Sequence, residues 1–467
     1  MPDQPIACDL LVHSAAQLLT LAGGPQRGAQ LGTLGLIEDG AAAIRAGRIL
    51  LVGPTSTVRS QVQPRARLDA AGRVVMPGFV DPHTHLLWMG DRANEFEMRL
   101  AGASYQEIMQ AGGGIASTVR QTRAASVDAL VEAARPRLRR MLAHGTTTVE
   151  AKTGYGLETQ AELRQLEAIY RLAAEGPWTL VPTFLPAHAV PAEFTGRAGA
   201  YVDVVIEEML PAAAARRSQL PTMAANDQHL PPAQARGLPV TSYQLPLFCD
   251  VFCEEGAFDL AQSRRILERG RDLGFGLKIH ADEFSGLGGT ALAVALGAVS
   301  ADHLVYTPAG DIAALGRGET AAVGLPGTPF GLAQRDYTPA GKILAAGGLL
   351  ALASDLNPGT TWCESMQMVV ALACRYMRLT PAQAIAAATI NAARAVSLDG
   401  EVGSLEAGKQ ADLLVLDVPD YRHLGYRYGT NLVQTVIKGG EVVGAFNHLP
   451  TSQVQVNAPA PRSIQDA

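Results

Sequence analysis

The chain has 467 residues, of which 48% are hydrophobic and 18% charged, and its 44 acidic and 38 basic side chains give a formal net charge of −6. This length exceeds one ordinary domain but suits one large barrel with a small accessory domain, and the apolar fraction is enough for a large buried core. The acidic balance excludes a general basic surface for nucleic acid or anionic lipid.

The chain begins MPDQPIACDLLVHSAAQLLT, which lacks the basic region and long apolar core of a secretory signal. No apolar run in the sequence reaches the length that spans a bilayer. We therefore expect a cytoplasmic protein. The 5 cysteines are odd in number and scattered, which argues against a disulfide framework and favours buried thiols.

Short strands are predicted at both ends of the chain. Residues 1–74 contain DLLVHSAAQLL and AAIRAGRILLVG, and a similar pattern returns in ADLLVLDV and VQTVIKGGEVVGAF within residues 399–448. We expect these two parts to join into a small β-sandwich domain. Residues 449–467 are rich in Pro, Gln, Ser and Asn and predict a disordered tail.

Between those ends, residues 75–398 alternate apolar runs with helical segments such as SVDALVEAARPRLRRMLAHG, which predicts βα units and a parallel sheet. The eight runs are VVMPGFVDPH, TTTVEAKT, LVPTFLPAH, CDVFCEEG, FGLKIHADE, AVSADHL, AAVGLPGT and LLALASDLNPG. Eight strands predict an α/β fold built on a (β/α)8 TIM-like barrel. A Pro- and Gln-rich segment at about 212–247 predicts a surface insertion before the fourth run.

Polar residues gather where these runs end, and five of the eight ends carry histidine or aspartate. The residues at the ends are His83, His85, Tyr155, His188, His280, Glu283, His303 and Asp355. A single histidine would more often be a hydrogen-bonded core or surface residue, but the carboxyl ends of barrel strands meet at one catalytic rim. The coincidence favours a functional site. The remaining histidines are interpreted as structural or solvent-exposed: His13, His144, His229, His423 and His448.

The predicted site suits a metal ion. His83 and His85 lie one residue apart, so alternation along a strand directs both side chains to the same face. With His280 and Asp355 they supply three imidazoles and one carboxylate around an open position, as at catalytic Zn²⁺ or Fe²⁺ sites, where the pKa of bound water falls to roughly 7. A second ion would need a bridge such as a carbamylated Lys152, but the fourth run, where that bridge usually arises, contains no lysine. We therefore predict one divalent ion.

The motifs HTH, IHADE and ASDLNPG resemble those of the metal-dependent amidohydrolase superfamily, in its branch with one metal ion. Longer stretches resemble one family of that branch, which hydrolyses 4-imidazolone-5-propanoate to N-formimidoyl-L-glutamate in histidine degradation. These stretches include DPHTHLLWMGDRANEFEMRLAGASYQEIMQAGGGIASTVRQTR, VEAKTGYGLE, TFLPAHAVP, VIEEMLP, DVFCEEGAF, LKIHADEF, SADHL, LPGTPF and SDLNPGTT. HxH alone is only a superfamily signal, whereas GDRANEFEMRLAGASYQEI followed by GGG is far more specific.

The resemblance implies site positions residue by residue. The implied metal ligands are again His83, His85, His280 and Asp355. Positions that match substrate contacts are Arg92, Tyr155, His188, Glu283 and Thr360, and positions that match product contacts are Tyr155, Asn357 and Gly359. The chain departs from the family in its long segment at 212–248 and in Trp362 and Cys363, which follow NPGTT.

The substrate implied by this family carries a propanoate group, which suits a guanidinium with hydroxyl and amide donors. Arg92, Tyr155 and Asn357 supply those groups. The alternative for Arg92 is a salt bridge at the rim with Asp91 or Glu95.

Three residues are predicted to handle protons. Glu283 lies three residues after the ligand His280, and we expect it to carry a proton to the leaving ring nitrogen. We expect His303 to act on the carbonyl side and Asp355 to accept the proton of the attacking water. The expected partners are a small-molecule substrate carrying a carboxylate and a second copy of the chain in a homodimer, with no nucleic acid and no membrane.

Two other functions compete with this interpretation. The first is another amidohydrolase with one metal ion, such as a guanine- or cytosine-type deaminase, which shares HxH, the later histidines and the aspartate. A deaminase would not need Arg92 and Tyr155 directed at a carboxylate. The second is a barrel scaffold without catalysis that serves in protein association. Degenerate scaffolds typically lose metal ligands, and all four are present here.

Overall fold

The structure is a computed structural model that describes residues 5–103, 107, 113–219, 222–223, 243–445 and 454–456. The strands of these residues, in chain order, are β1 Ile6–Leu19, β2 Leu36–Arg45, β3 Arg48–Pro54, β4 Val62–Asp69, β5 Val74–Pro77, β6 Phe79–Asp81, β7 Thr146–Lys152, β8 Thr179–Ala187, β9 Thr222–Met223, β10 Tyr243–Gln244, β11 Phe248–Cys253, β12 Gly276–Ala281, β13 Ser300–His303, β14 Ala321–Gly324, β15 Leu349–Leu352, β16 Leu413–Leu416, β17 Val433–Lys438, β18 Glu441–Ala445 and β19 Val454–Val456.

Eight parallel strands form the barrel sheet in the order β6-β7-β8-β11-β12-β13-β14-β15. Strands β7 and β8 are buried along their whole lengths. Such burial is expected where side chains fill the barrel on one face and helices cover the other. Each of the eight strands overlaps one of the eight predicted runs, although β8 and β11 each begin one residue earlier, so the predicted α/β barrel is confirmed.

The barrel closes between its first and last strands. Thr84 and Leu356 form a parallel bridge just beyond the ends of β6 and β15. The backbone N–H of Asp355 donates to the carbonyl oxygen of His83 at 3.1 Å, and that of His85 donates to the carbonyl of Leu356 at 2.9 Å. The segments that carry predicted metal ligands therefore make the closing hydrogen bonds of the sheet.

Strands from both chain ends form a second sheet, in the order β18-β17-β16-β5-β1-β2-β3, in which β4 also pairs with β1, and β19 pairs with β4. Strand β1 pairs antiparallel with β2 and parallel with β4 and β5, and its register shifts between Val12 and Ala15. Leu10 and Leu18 of the first part pack with Leu413 of the second in one buried cluster. The expected small β domain built from both ends is thus present.

Helices surround the barrel strands. Among the described residues the α-helices are Thr55–Gln61, Ala93–Leu100, Ile115–Ala124, Val127–Ala143, Thr159–Glu175, Ala198–Val204, Leu210–Ala215, Leu260–Asp272, Gly289–Leu296, Ala309–Arg317, Gly327–Gly331, Ala340–Ala345, Met366–Tyr376, Pro381–Ala387, Ile390–Arg394 and His423–Tyr426. Asp259 and Thr380 each begin a helix with a reciprocal capping box, which explains where those helices start. None of the helices described here has the length and apolar character needed to cross a membrane.

The first predicted run differs from the structure in one respect. Residues Val74–Pro77 pair with β1 and β16 in the sheet of the chain ends, and only Phe79–Asp81 enters the barrel. Gly78 lies between the two strands. Only glycine fits at this position, because a Cβ atom there would lie 2.2 Å from the hydroxyl oxygen of Thr147. Both halves are apolar and buried, so the sequence alone does not divide them. The domain division near residues 74 and 398 stays a prediction.

The predicted insertion at about 212–247 begins within the helix Leu210–Ala215, and β9 pairs with β10 in a short antiparallel hairpin. Residues 224–242 lie outside the described residues, as does His229. Within the predicted tail 449–467, β19 pairs antiparallel with β4, and the other residues, like His448 before them, are not described. All five cysteines are free thiols, and Cys249 and Cys253 are buried, as expected.

Candidate metal centre and active site

Five side chains meet at the carboxyl end of the barrel. His83 and His85 follow β6, His280 lies on β12, His303 ends β13, and Asp355 follows β15. All five are buried, with exposed fractions of 0–3%. Carboxyl ends of parallel barrel strands share one rim, which explains why residues so distant in sequence come together.

The donor atoms of these side chains converge. The Nε2 atoms of His85 and His280 lie 3.3 Å apart, and Asp355 Oδ1 lies 3.5 Å from His83 Nε2 and 3.6 Å from His85 Nε2. His303 also offers a ligand atom within 4.8 Å of those of His83 and Asp355, although the sequence does not suggest it as a ligand.

Three of these atoms are buried without a hydrogen-bond partner in the described part of the chain: His83 Nε2, His303 Nε2 and Asp355 Oδ1. Burying an unsatisfied polar atom costs about 1–3 kcal/mol, so three at one point indicate an occupant that satisfies them together. Imidazole nitrogens with one carboxylate oxygen suit a divalent cation. The donor set is that of a divalent metal site.

Two buried carboxylates lie beside the histidine rings. Asp302 Oδ2 lies 2.6 Å from His83 Nδ1, and Asp250 Oδ2 lies 3.1 Å from His280 Nδ1. Asp302 can accept the Nδ1 hydrogen of His83, which leaves the lone pair on Nε2, and that atom faces the centre. Sequence reasoning did not identify these aspartates. The available signal was a carboxylate inside an otherwise apolar run, as in CDVF and SADH.

Lys152 lies between the same two carboxylates, Asp250 and Asp302. Its Nζ donates to Glu150 at 2.7 Å and to Asp250 at 2.8 Å, and lies 3.8 Å from Asp302, all fully buried. Burial alone would lower the pKa of Lys152, but the charges of Asp250, Glu150 and Asp302 outweigh it and raise the pKa above its usual value. Lys152 is therefore held as a cation, not as the neutral amine that carbamylation requires.

Asp355 is held in an unusual backbone conformation, with a φ of 55°. The Thr328 hydroxyl donates to its Oδ2 at 2.5 Å, which leaves Oδ1 directed at the centre. Burial raises the pKa of Asp355 to about 6, although the hydrogen bond from Thr328 acts in the opposite sense. The backbone conformation and the hydrogen bond from Thr328 together fix the carboxylate at the centre.

Tyr155 stands on the loop after β7, and a buried carboxylate shapes that loop. Glu162 accepts the backbone N–H groups of Gly154, Gly156 and Leu157 at 2.9, 2.7 and 2.8 Å. The side chain of Tyr155 is buried, and burial raises its pKa above the usual value. Its hydroxyl therefore stays protonated and can donate a hydrogen bond.

His188 lies beside this loop. Its Nδ1 donates to the carbonyl oxygen of Gly154 at 2.9 Å, and its ring stacks on His85 with centroids 4.6 Å apart. Burial, followed by the nearby charge of His280, lowers the pKa of His188 to about 3, so the ring is neutral at pH 7. The structure thus places His188 and Tyr155 at the edge of the metal centre, with ring centroids 5.2 Å apart.

Arg92 lies near the last barrel strand. Its Nε donates to the Thr118 hydroxyl at 3.0 Å and is 4.0 Å from Glu95. A Cβ atom on Gly359 would lie 2.4 Å from Arg92 Nη1, so the guanidinium packs directly on that glycine. The alternative of a rim salt bridge has weak support, because the contact with Glu95 is long and the described residues show none with Asp91.

The loop of Asn357, Gly359 and Thr360 is held by its own hydrogen bonds. Asn357 Oδ1 accepts the backbone N–H groups of Gly359 and Thr360, both at 2.8 Å, and Nδ2 donates to the carbonyl of Asp355 at 2.7 Å. The amide of Asn357 is therefore engaged within the chain, where it positions Gly359 and Thr360.

Glu283 completes the predicted set. Its carboxyl oxygen Oε2 lies 3.6 Å from His303 Nε2, and its side chain is buried. Burial, followed by the negative charges of Asp355 and Glu254, raises the pKa of Glu283 well above its usual value. This environment favours the protonated form of Glu283, from which the carboxyl group can act as a proton donor.

A cavity of about 490 Å³ opens beside the Gly359 loop but not at the metal centre. It is lined by residues that include Arg92, Phe96, Arg99, Phe330, Trp362 and Cys363. Trp362 also meets Trp88 edge to face, with centroids 4.9 Å apart. Trp362 and Cys363, at which the chain departs from the family that it resembles, thus both line this neighbouring cavity.

A barrel with these donors at its rim defines a metal-dependent hydrolase of the amidohydrolase class. A family profile described as "Amidohydrolase family" matches residues 299–443, and a second with the same description matches residues 67–122. The imidazolonepropionase of Herpetosiphon aurantiacus is 52% identical over 435 residues, which cover 93% of this chain and 97% of the relative. That of Chloroflexus aggregans is 51% identical over 438 residues, with coverage of 93% and 98%. The chain belongs to the imidazolonepropionase family.

Solved structures share the fold at lower identity. A zinc-bound adenosine deaminase from Xanthomonas campestris has a TM-score of 0.64 and 20% identity, and covers 94% of this chain and 93% of its own. The guanine deaminase of E. coli has a TM-score of 0.63 and 15% identity, with coverage of 93% and 98%. At these identities the likeness shows the fold alone.

The first prediction concerns the metal ligands. Replacing His83 or Asp355 by Ala should remove the bound ion and almost all activity while the barrel stays folded, because ligands of open catalytic sites seldom carry the fold. Metal content per chain, with circular dichroism for folding, measures this. His423→Ala, which alters a histidine outside the centre, is the matched control and should keep its metal. Full occupancy in both ligand variants would show that the ligands are wrongly assigned.

Proposed function

We propose that this chain hydrolyses the ring C–N bond of 4-imidazolone-5-propanoate to give N-formimidoyl-L-glutamate in histidine degradation. The observation that carries the proposal is the near full-length identity of 52% to an imidazolonepropionase. The convergence of the predicted ligand side chains at one rim of the barrel supports it further. The deaminase alternative has support only from structures at 15–20% identity.

We also propose that His83, His85, His280 and Asp355 hold one Zn²⁺ or Fe²⁺. The orphaned nitrogen and oxygen atoms at the centre fit such an ion. When bound, a divalent ion supplies a water whose pKa is lowered to roughly 7. His303 stands close enough to orient the substrate carbonyl or the attacking water.

The propanoate group of the substrate is proposed to bind Arg92. Within the described residues, the hydrogen bond of Arg92 to Thr118 uses Nε, so both terminal Nη groups remain available as a fork for a carboxylate. The protonated hydroxyl of Tyr155, the neutral ring of His188 and the hydroxyl of Thr360 supply further polar contacts around the ring. Gly359 allows the guanidinium to lie against the backbone.

Proton transfer is proposed to involve three groups. Water adds to the ring carbonyl carbon, the C–N bond breaks, and the ring nitrogen must gain a proton as it leaves. Asp355, whose Oδ1 lies 3.5 Å from His83 Nε2 and 3.6 Å from His85 Nε2, accepts the proton of the water. Glu283 delivers a proton to the ring nitrogen, and His303 stabilises the negative charge that develops on the carbonyl oxygen.

We further propose that the chain forms a homodimer in the cytoplasm. Large aromatic side chains remain exposed on one part of the surface: Phe330 and Tyr376 lie 6.4 Å apart by ring centroid, and Tyr426 and Tyr428 are 75% and 66% exposed. Exposed apolar patches of this kind often mark contacts between proteins. Free thiols throughout the chain suit a reducing compartment.

The second prediction separates the proposed reaction from deamination. The purified metal-loaded enzyme should consume 4-imidazolone-5-propanoate, followed by loss of ultraviolet absorbance, and should leave guanine and cytosine unchanged. The reason is that the proposed pocket directs an arginine at a carboxylate that those bases lack. Release of ammonia from guanine without ring opening of the imidazolone would favour the deaminase alternative.

The third prediction concerns substrate anchoring. Arg92→Lys keeps the charge but loses the bidentate fork, so substrate binding should weaken by on the order of 1–3 kcal/mol, measured as a rise in KM. Arg265→Lys, which alters an exposed arginine paired with Asp203, is the matched control and should change nothing. An unchanged KM in Arg92→Lys would return Arg92 to a purely structural role.

The fourth prediction concerns the proton donor. Glu283→Gln keeps the shape of the side chain but cannot carry the proton, so kcat should fall by roughly 10²–10⁴ while the metal is retained. Glu255→Gln changes an exposed glutamate and serves as the control. Near-normal kcat in Glu283→Gln would leave Asp355 and His303 as the proton carriers, and loss of metal would make Glu283 a ligand.

A further inference from the structure

Glu283 lies on a turn, not on a strand, so something outside the strand must hold its position. Strand β12 ends at Ala281, and Asp282 has a φ of 55°. On one side the turn is anchored by Asp282, whose carboxylate accepts from the Thr290 hydroxyl at 2.6 Å and from the Gly288 N–H at 3.2 Å. These contacts fix the residue before Glu283 but leave the residues after it unexplained.

Glu254 holds the other side of the turn. Its Oε2 accepts the backbone N–H groups of Phe284 at 2.9 Å and Ser285 at 3.3 Å, and its Oε1 accepts the Ser285 hydroxyl. Its own position is set by strand β11, because Cys253 pairs with Ala281 on β12. Glu254 as a whole residue is only 3% exposed. A buried carboxylate that accepts two consecutive backbone N–H groups defines the path of those residues tightly.

Nothing in the proposed reaction requires Glu254 to touch the substrate. In the described structure its hydrogen bonds go to the chain itself, including the backbone N–H of Glu255 at 3.0 Å. The burial of so polar a side chain at the rim therefore has one evident role, which is to fix the turn that carries Glu283. Its negative charge also favours the protonated form of Glu283, since it contributes to the raised pKa of that residue.

We propose that Glu254 is a positioning residue for Glu283: its carboxylate fixes the turn at Phe284 and Ser285 so that the carboxyl group of Glu283 stays beside His303. This inference rests on the proposed proton transfer by Glu283. It predicts that Glu254 matters for the rate only while Glu283 can deliver a proton. It also predicts that the metal centre itself does not depend on Glu254.

The experiment is a double-mutant cycle measured on the metal-loaded full chain. Glu254→Ala alone should lower kcat on the order of 10²-fold, because a displaced proton donor loses most of its effect, with metal content unchanged. In the Glu283→Gln background the same change should cost less than about 3-fold, because residues that act as a unit are not additive. Glu254→Gln keeps one carbonyl acceptor for the two N–H groups, so it should recover part of the loss.

The matched control is Glu162→Ala. Glu162 is also a buried carboxylate that accepts backbone N–H groups of a site loop, but its loop carries Tyr155. Its effect should therefore multiply fully with that of Glu283→Gln. This contrast separates positioning of Glu283 from general loosening of the rim, which would make both carboxylates behave alike.

The outcomes distinguish the role of Glu283 as proton donor from the role of Glu254 as positioning residue. Near-normal kcat in Glu283→Gln alone would overturn the proposed proton donor and this inference with it. A slow Glu283→Gln enzyme in which Glu254→Ala still costs its full factor would leave the proton donor intact and overturn the positioning role, as would loss of metal from Glu254→Ala. Should Glu254→Ala not fold, the same cycle with Glu254→Gln gives the comparison.

Discussion

The structure of the active site depends on a buried network of charges beneath the metal centre. Glu150, Lys152, Asp250, Lys278 and Asp302 are fully buried and come from four of the barrel strands. Removing one charged partner from such a network leaves another buried charge unpaired, which typically destabilises the fold by about 3–5 kcal/mol. The charged side chains of the network therefore depend on one another. The benefit is functional: Asp302 sets the tautomer of His83, and the charges of His280 and Lys152 outweigh burial and hold the pKa of Asp250 below its usual value.

Buried acceptor side chains also hold the loops around the metal centre, where they accept hydrogen bonds from backbone N–H groups and not from imidazole rings. Glu162 gathers three N–H groups of the loop that carries Tyr155, and Asn357 gathers two in the loop that carries Thr360. Both of these loops are therefore shaped by an acceptor side chain near them, and the barrel strands supply a rigid base. Residues on loops can in this way be placed as reproducibly as residues on strands.

Much of this arrangement could be predicted from the sequence, because barrel strands leave a strong pattern of buried runs with polar ends. That pattern led to the barrel and to His83, His280 and Asp355 as neighbours. The pattern does not contain the partners of those residues. Asp302 is read as an ordinary strand residue until the fold brings it to His83, and an acceptor of backbone N–H groups such as Glu162 has no sequence motif of its own. The division at Gly78 was hidden because both flanking strands are apolar.

The closing hydrogen bonds of the barrel join the segment after its first strand to the segment after its last. During synthesis the chain therefore carries His83 and His85 long before Asp355 and Leu356 exist to meet them. Until then the strand edges that will pair lie open, and an open parallel edge is prone to association with other chains. An ion held by both His83 and Asp355 would connect the segments that follow the first and the last strand of the barrel sheet. Opening the barrel would then require releasing the ion as well, which slows the unfolding of the finished enzyme.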